Sequence, residues 1–288
     1  AKPQPKPPVE ARPTRLSVTR IETLIRDPYA VYARHVLGLQ PLNEIAKAPD
    51  FALRGTLFHA ALGDFFKTYP AVLPADAGER LIAAGRKHFA PLMDDPQIAG
   101  FWWPRFRRIA EWLAVEDTQL RAGVERVLAE IDGALTLNIA GRSFILTGRA
   151  DRIDLFSGGG ARIVDFKTGS VPSGAQVESG LAPQLTLEAA MLARESFKGA
   201  PATPARELVY IKLGGGEPPG EITTLKFVEP AADVASRHLA GLIELLTAYA
   251  RSGQPYLPRT IVEKEDEERD YDHLSRFREW ALSGRPAP

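Results

Sequence analysis

Two short apolar runs joined by a glycine-rich turn constrain this chain more than any other feature. Gly148-Arg149-Ala150-Asp151-Arg152-Ile153-Asp154-Leu155 and Ala161-Arg162-Ile163-Val164-Asp165-Phe166-Lys167-Thr168-Gly169 flank Ser157-Gly158-Gly159-Gly160, a pattern that predicts a β-hairpin. Successive strand residues point to opposite faces, so Asp165 and Lys167 share one face while Val164 and Phe166 turn into a core. Asp151 on the preceding strand is placed to lie opposite them. A hard divalent cation takes oxygen ligands from one or two carboxylates together with water and substrate phosphate. A lysine beside such a site can hold the attacking water and offset charge on the phosphate, which is the chemistry of phosphodiester hydrolysis. An isolated Asp-x-Lys at a strand end is, on its own, more often a solvated edge with a surface ion pair.

The periodicity around the hairpin predicts an α/β fold. Asp76 to Met93 and Trp103 to Arg121 carry apolar residues at helical spacing, whereas Leu135, Leu137 and Ile139, then Phe144 and Leu146, alternate as strands do. Thr19 with Glu22 reads as a capping box, Pro28 interrupts the helix it opens, and Gly38 ends it. Leu181 to Phe197 returns to helix, Glu207 to Leu213 and Thr223 to Val228 read as strands, and Ala231 to Arg251 as a long amphipathic helix. Gly214-Gly215-Gly216 lacks a following lysine and helix, so it is a hairpin turn rather than a nucleotide loop. This order predicts a central mixed β-sheet flanked by helices, with an N-terminal helical part. The expected boundaries are a linker over 1–15, a helical part over about 16–122, a sheet core over about 123–228 and C-terminal helices over about 229–288.

Four ordered blocks then point to a family. Leu16-Ser17-Val18-Thr19-Arg20-Ile21-Glu22 with Asp27-Pro28-Tyr29 and Leu37-Gly38-Leu39 comes first, and Arg54-Gly55-Thr56-Leu57-Phe58-His59 second. The hairpin with its Asp165-Phe166-Lys167 is third, and Pro183-Gln184-Leu185-Thr186-Leu187-Glu188-Ala189 is fourth. Together, from about Leu16 to about Trp280, they resemble the PD-(D/E)xK nuclease superfamily, and within it the RecB-like and AddB-like nuclease domains of bacterial helicase-nucleases. The resemblance implies a restriction-endonuclease-like core. It implies that His59, Asp151 and Asp165 ligate Mg²⁺ or Mn²⁺, with the Phe166 carbonyl as an added ligand. Lys167 would be the catalytic lysine and Gln184 a supporting residue, so that Asp151, Asp165, Lys167 and Gln184 form the catalytic set. Without the resemblance, His59 reads as a satisfied polar residue on an apolar helix face. Asp154 is spaced off the Asp151 face and reads as structural.

The same resemblance implies an activity and partners. The expected function is hydrolysis of single-stranded DNA during double-strand-break processing, beside an AddA-type helicase-nuclease subunit. The alternative is a catalytically inactive DNA-binding or scaffold module of the same complex. The chain has no cysteine, which excludes disulfides and thiolate metal sites. Many AddB-like and Cas4-like domains hold an iron–sulfur cluster on four cysteines, and none is expected here: Asp27 stands before Pro28-Tyr29 where relatives place a cysteine. Packing of Tyr271, Leu274, Phe277 and Trp280 against the opening helix would replace that staple.

Composition enters at three points. The 288 residues at 44% hydrophobic content suffice for one large core, and no run is long and apolar enough to span a bilayer, so a cytoplasmic chain without membrane contact is expected. Pro3, Pro5, Pro7, Pro8 and Pro13 make the first stretch read as an extended linker to an upstream region of a longer chain. Formal charge balances at 36 against 36, yet Glu263 to Asp272 holds seven acidic and two basic residues, which leaves the remainder basic. Arg54, Arg105, Arg107, Arg108 and Arg149 are the candidate DNA-binding residues. Trp102, Trp103, Phe106 and Trp112, interleaved with those arginines, either stack on a strand of DNA or pack helices together.

Overall fold

The glycine-joined hairpin forms, and it lies in the middle of a six-stranded mixed sheet in the computed structural model, which describes residues 2–40, 49–261 and 269–283. Strand β1 (Arg15–Ser17) runs parallel to the first part of β3 (Arg142–Phe156), and β2 (Val124–Ile139) pairs antiparallel with β3 along its length. Strand β4 (Ala161–Lys167) pairs antiparallel with β3 over Arg152 to Leu155, then parallel with β5 (Ala205–Leu213). Strand β6 (Gly220–Thr224) closes the edge antiparallel to β5, joined through the glycine turn in which Gly215 adopts φ +67°. That turn sets the register from Leu213↔Gly220 to Val209↔Thr224, so β6 ends earlier than the run from Thr223 to Val228 suggests and Val228 is left in solvent.

Ten α-helices are described around the sheet. Helix α1 (Val18–Arg26) is capped by Ser17, whose hydroxyl accepts from the Arg20 N–H at 3.2 Å. The expected Thr19–Glu22 box does not form, because β1 runs directly into the helix at Ser17 and Glu22 pairs with Arg26 at 3.0 Å instead. Asp27 caps α2 (Pro28–Val31), placing the proline at the first helical position, where its missing N–H costs nothing. Helices α3 (Phe51–Thr68), α4 (Ala77–Phe89) and α5 (Trp103–Leu120) cover one face of the sheet. Phe58, Phe66, Leu81, Phe89, Phe106 and Ile109 from these helices pack with Val164, Phe166, Val209 and Ile211. Trp102 is buried in this layer and Trp103 and Trp112 pack against it, so the tryptophans join helices.

The other face is covered by α1, α7 (Gln184–Leu192) and α8 (Ala231–Tyr249), with the one-turn α6 (Gly174–Glu178) leading in through a Ser173–Gln176 capping box. Ile21, Leu185, Leu187, Ala235, Leu239 and Leu242 pack there with Ile163 and Leu208. Helix α7 is shorter than the apolar run from Leu181 to Phe197 suggests. Glu195 turns left-handed at φ 52°, the Ala134 N–H bonds to the Ser196 carbonyl, and Phe197 is drawn over Gly133 of β2.

The first and last described segments are held by packing. The proline-rich start is extended but not loose: Arg12 is buried and donates to the carbonyls of Pro7, Tyr249 and Ser252, while the Tyr256 N–H donates to the Pro5 carbonyl. Helices α9 (Asp272–Ser275) and α10 (Phe277–Ser283) form the far end. Tyr271 packs on Tyr29 and Ala33 and donates its hydroxyl to the Leu39 carbonyl at 2.8 Å. Leu274 is left exposed, because left-handed Arg276 (φ 53°) breaks the helical period that would align it with Phe277 and Trp280. Most of the acidic run, residues 262–268, lies outside the described residues, and its end is anchored by Arg259 on Asp272.

One change of phase in the β2–β3 ribbon governs the site. Beyond Glu130 the residues of β2 that face the α1–α7–α8 layer are odd-numbered, Leu137 and Ile139, whereas before it Leu128 faces that layer. In β3 the same layer receives Phe144, Leu146 and Ala150, then Ile153. The switch falls where Glu130 stands between the pairs Ala129↔Arg152 and Ile131↔Ala150, opposite Asp151. Glu130 adopts φ 49°, a left-handed conformation that non-glycine residues seldom take.

Candidate metal centre

Pairing of β3 with β4 stops at Arg152↔Val164, and in the fork beyond it the Phe166 N–H donates to Asp151 Oδ2 at 2.8 Å. The other oxygen of Asp151 lies 3.3 Å from His59 Nδ1, which α3 brings in from the side, with its ring edge-on to Phe166. Glu130 Oε1 lies 3.9 Å from the same nitrogen, and one ligand atom from each of His59, Glu130 and Asp151 falls within 4.8 Å of the others. Gly63, one turn beyond His59 on α3, makes room for Glu130: a Cβ there would come within 2.5 Å of Glu130 Cγ. Gly63→Ala is therefore expected to displace the carboxylate, costing about 1–3 kcal/mol of stability by overpacking and weakening Mn²⁺ binding. Calorimetric titration beside urea denaturation would separate the two effects, and unchanged metal affinity would show that Glu130 does not depend on this gap.

A second group adjoins the first. Asp165 is buried; its Oδ1 accepts from Gln184 Nε2 at 2.6 Å and from Lys167 Nζ at 3.1 Å, and Oδ2 lies 2.9 Å from the same ammonium. Lys167 Nζ also donates to Gln184 Oε1 at 3.1 Å, so the Gln184 amide bridges the acid and the lysine. Its Nε2 reaches a further buried acid, Glu188 Oε1, at 3.4 Å. Burial pushes Asp165 up to about 6, with Asp151 adding to the rise and the Lys167 ammonium opposing it. Burial also raises Glu188 well above the ordinary carboxylate range and, with the charge of Asp151, raises Glu130. For Lys167 burial pulls downward, but the adjacent Asp165 outweighs it and keeps the ammonium charged. His59 is likewise held above its ordinary value, because its bond to Asp151 and the surrounding carboxylates overcome burial.

The charge of Asp151 thus raises Asp165, Glu130 and Glu188, and Asp165 raises Glu188 in turn, around the His59 imidazole and the Lys167 ammonium. The Asp151, Glu130 and Asp165 carboxylates with the His59 imidazole are a donor set suited to a divalent cation, and the repulsion among the acids is what such a cation would relieve. The residues fit that group. His59, Asp151 and Glu130 would present the closest ligand atoms, while the Asp165 carboxylate turns toward Lys167 and Gln184. Phe166 contributes its N–H to Asp151 and stacks its ring on Phe66.

The arginines divide. Arg54 is buried and its Nη2 donates to the Thr168 carbonyl at 2.9 Å, tying α3 to the end of β4. Arg108 donates from Nε to the Gly215 carbonyl at 2.9 Å, and Arg105 packs under the same turn. Arg107 is exposed. Arg149 stands at the rim, its Nε 3.1 Å from Asp132 and 3.8 Å from Glu130. Asp154 is a fold residue, buried between Arg152 and Arg162. Glu130 and Glu188 are the site acids that the sequence reading passes over. The signal for Glu188 is an acid one turn after Gln184 in an otherwise apolar helix.

Among the described residues no helix is long and apolar enough to cross a membrane. Curated relatives are uncharacterized proteins of Rickettsia. One from Rickettsia bellii is 29% identical over 253 residues, covering 83% of this chain and 30% of its own length, and one from Rickettsia conorii is 29% identical over 290 residues, covering 92% and 34%. The chain therefore spans about a third of the length of these relatives. The solved structure of SSO0001 overlaps 68% of this chain and 86% of its own at 13% identity, with a TM-score of 0.29. Over residues 15–277, which include β1, the hairpin and every residue of both side-chain groups, the chain matches a single family profile and belongs to the PD-(D/E)XK nuclease superfamily.

Proposed function

We propose that this domain is a Mg²⁺- or Mn²⁺-dependent deoxyribonuclease that hydrolyses phosphodiester bonds of single-stranded DNA. The observation that carries the reading is the Lys167 ammonium, fixed between Asp165 and Gln184 next to the His59–Asp151–Glu130 cluster. A bound divalent cation would supply Lewis acidity toward the phosphate and lower the pKa of water. His59, Asp151 and Asp165, with the Phe166 carbonyl, would hold it, and Glu130 adds a carboxylate on the open side. Lys167 orients the attacking water through one N–H while Asp165 and Gln184 hold the other two, and its charge offsets that gathering on the phosphate. Gln184 keeps Lys167 and Asp165 in register by accepting from one and donating to the other.

The AddB-like resemblance supports a further part of this reading, work beside an AddA-type helicase-nuclease subunit in double-strand-break repair. Co-purification of the two proteins tests it. Metal binding itself has an expected pH profile. Asp165, at about 6, and His59, above its ordinary value, both bind protons in the same range in which they would bind a cation. Lowering the pH from 7.5 to 5.5 protonates both, so Mn²⁺ affinity measured by calorimetry is expected to fall by tenfold or more, on the order of one proton displaced per ion. Affinity that stays level across this range would remove Asp165 and His59 from the ligand set, and no binding at millimolar metal would remove the metal from the mechanism.

A further inference from the structure

A polar groove of about 640 Å³ opens beside the centre, and apart from its inner end nothing in the chemistry above uses it. Its floor comes from three strands: Ser17, Thr147 and Ala134 stand in register across β1, β3 and β2, and Asp132 stands opposite Arg149. Arg15 lies two residues before Ser17 on the same side of β1. Thr19 closes one end, and Ser196 and Lys198, the segment that β2 draws down from α7, form the opposite wall. Arg15 and Lys198 are exposed and have no carboxylate partner among the described residues.

Two contacts join this groove to the centre. Gln184 and Glu188 line its inner end, and Gln184 is the residue that bridges Lys167 and Asp165. Arg149 lines both this groove and the neighbouring cavity of about 590 Å³ that holds His59, Glu130, Asp151 and Lys67. We infer that this groove is the track for a single DNA strand, gripping consecutive phosphates with Arg15, Lys198 and Arg149 and delivering the next one to Lys167. The inference rests on the nuclease reading above.

The lining gives the track its character. Three cations against the two carboxylates Asp132 and Glu188, with the hydroxyls of Ser17, Thr19, Thr147 and Ser196, suit phosphate oxygens, which carry no sequence information. Among the described residues no aromatic ring lines the groove, so bases are not stacked there and oligothymidylate and oligoadenylate should bind alike.

The test is anisotropy of a fluorescein-labelled oligothymidylate in EDTA, together with Mn²⁺-dependent hydrolysis of the small diester bis(p-nitrophenyl) phosphate. Arg15→Ala with Lys198→Ala should weaken oligonucleotide binding about tenfold and flatten the salt slope by about 1.4, two single-strand phosphate contacts. Diester hydrolysis should not change. Lys226→Ala with Arg251→Ala, both exposed and away from the groove, is the charge-matched control and should bind like wild type. If the two double variants bind alike, or wild type binds no oligonucleotide, the track is overturned whatever the activity. If binding falls only in the groove variant while wild type hydrolyses neither DNA nor the diester, the track stands and the nuclease reading fails.

Discussion

Replacing Lys167 with alanine is expected to lower metal-dependent cleavage of single-stranded DNA by at least on the order of 10²–10³-fold, the loss typical of one charge-stabilising donor. The side chain is partly exposed and its contacts are polar ones to Asp165 and Gln184 beside the Tyr210 ring, so the fold should persist with an unchanged circular dichroism spectrum. Its removal leaves Asp165 buried with only the Gln184 amide, which raises the acid further and takes away the charge that faces the phosphate. Lys167→Arg should not rescue cleavage, because a planar guanidinium cannot direct three tetrahedral N–H groups at Asp165, Gln184 and a water together. Asp165→Ala should fail as completely. Full activity in either alanine variant would sink the assignment of this centre, whereas a wild type that binds DNA and cleaves none would favour a fold that binds DNA without cutting it.

Arg152→Met is expected to produce the largest loss of stability in the protein, about 3–5 kcal/mol in urea denaturation. Arg152 is wholly buried, with Nη1 on Asp117 Oδ1 and Nε on Asp154 Oδ1 at 2.6 Å, and its guanidinium lies over the Phe66 ring. Taking out the cation alone strands two carboxylates inside the protein. Arg121 on Asp117 and Arg162 on Asp154 remain, and they set the lower end of the range. Adding Asp117→Leu and Asp154→Leu should recover only part of the loss, since it removes the stranded acids but takes the carboxylate from buried Arg121, while Arg162 keeps Glu207. A single variant within about 1 kcal/mol of wild type would mean that the neighbouring arginines neutralise both acids unaided.

The hairpin, the shared side of Asp165 and Lys167 and the placing of Val164 and Phe166 in a core were all legible, because strand alternation is local and depends on nothing distant. His59 and Gln184 were legible only through their ordered context, since an imidazole or an amide on a helix has no periodic signature. Glu130 was hidden by the very device that positions it: an alternation that reverses phase presents no consistent face to read. Arg54 and Arg108 looked like a basic surface, but their partners are backbone carbonyls at Thr168 and Gly215, more than a hundred residues away in each case. The proline-rich start read as free because its anchor, Arg12 on the end of α8, is a long-range contact of the same kind.

The reversal at Glu130 also bears on how the chain finds its register. In an evenly alternating ribbon a slip of two residues keeps inward side chains inward, so hydrophobicity alone cannot reject it. Here both strands change sides at one point, and any slip sets the turning point of one strand against the regular stretch of the other. A mispaired ribbon would bury Asp132 or Arg149 in one layer and expose Leu137 or Ile153 from another. Only the pairing that sets Glu130 against Asp151 satisfies both halves, so the two acids come together whenever the ribbon assembles correctly and at no other time.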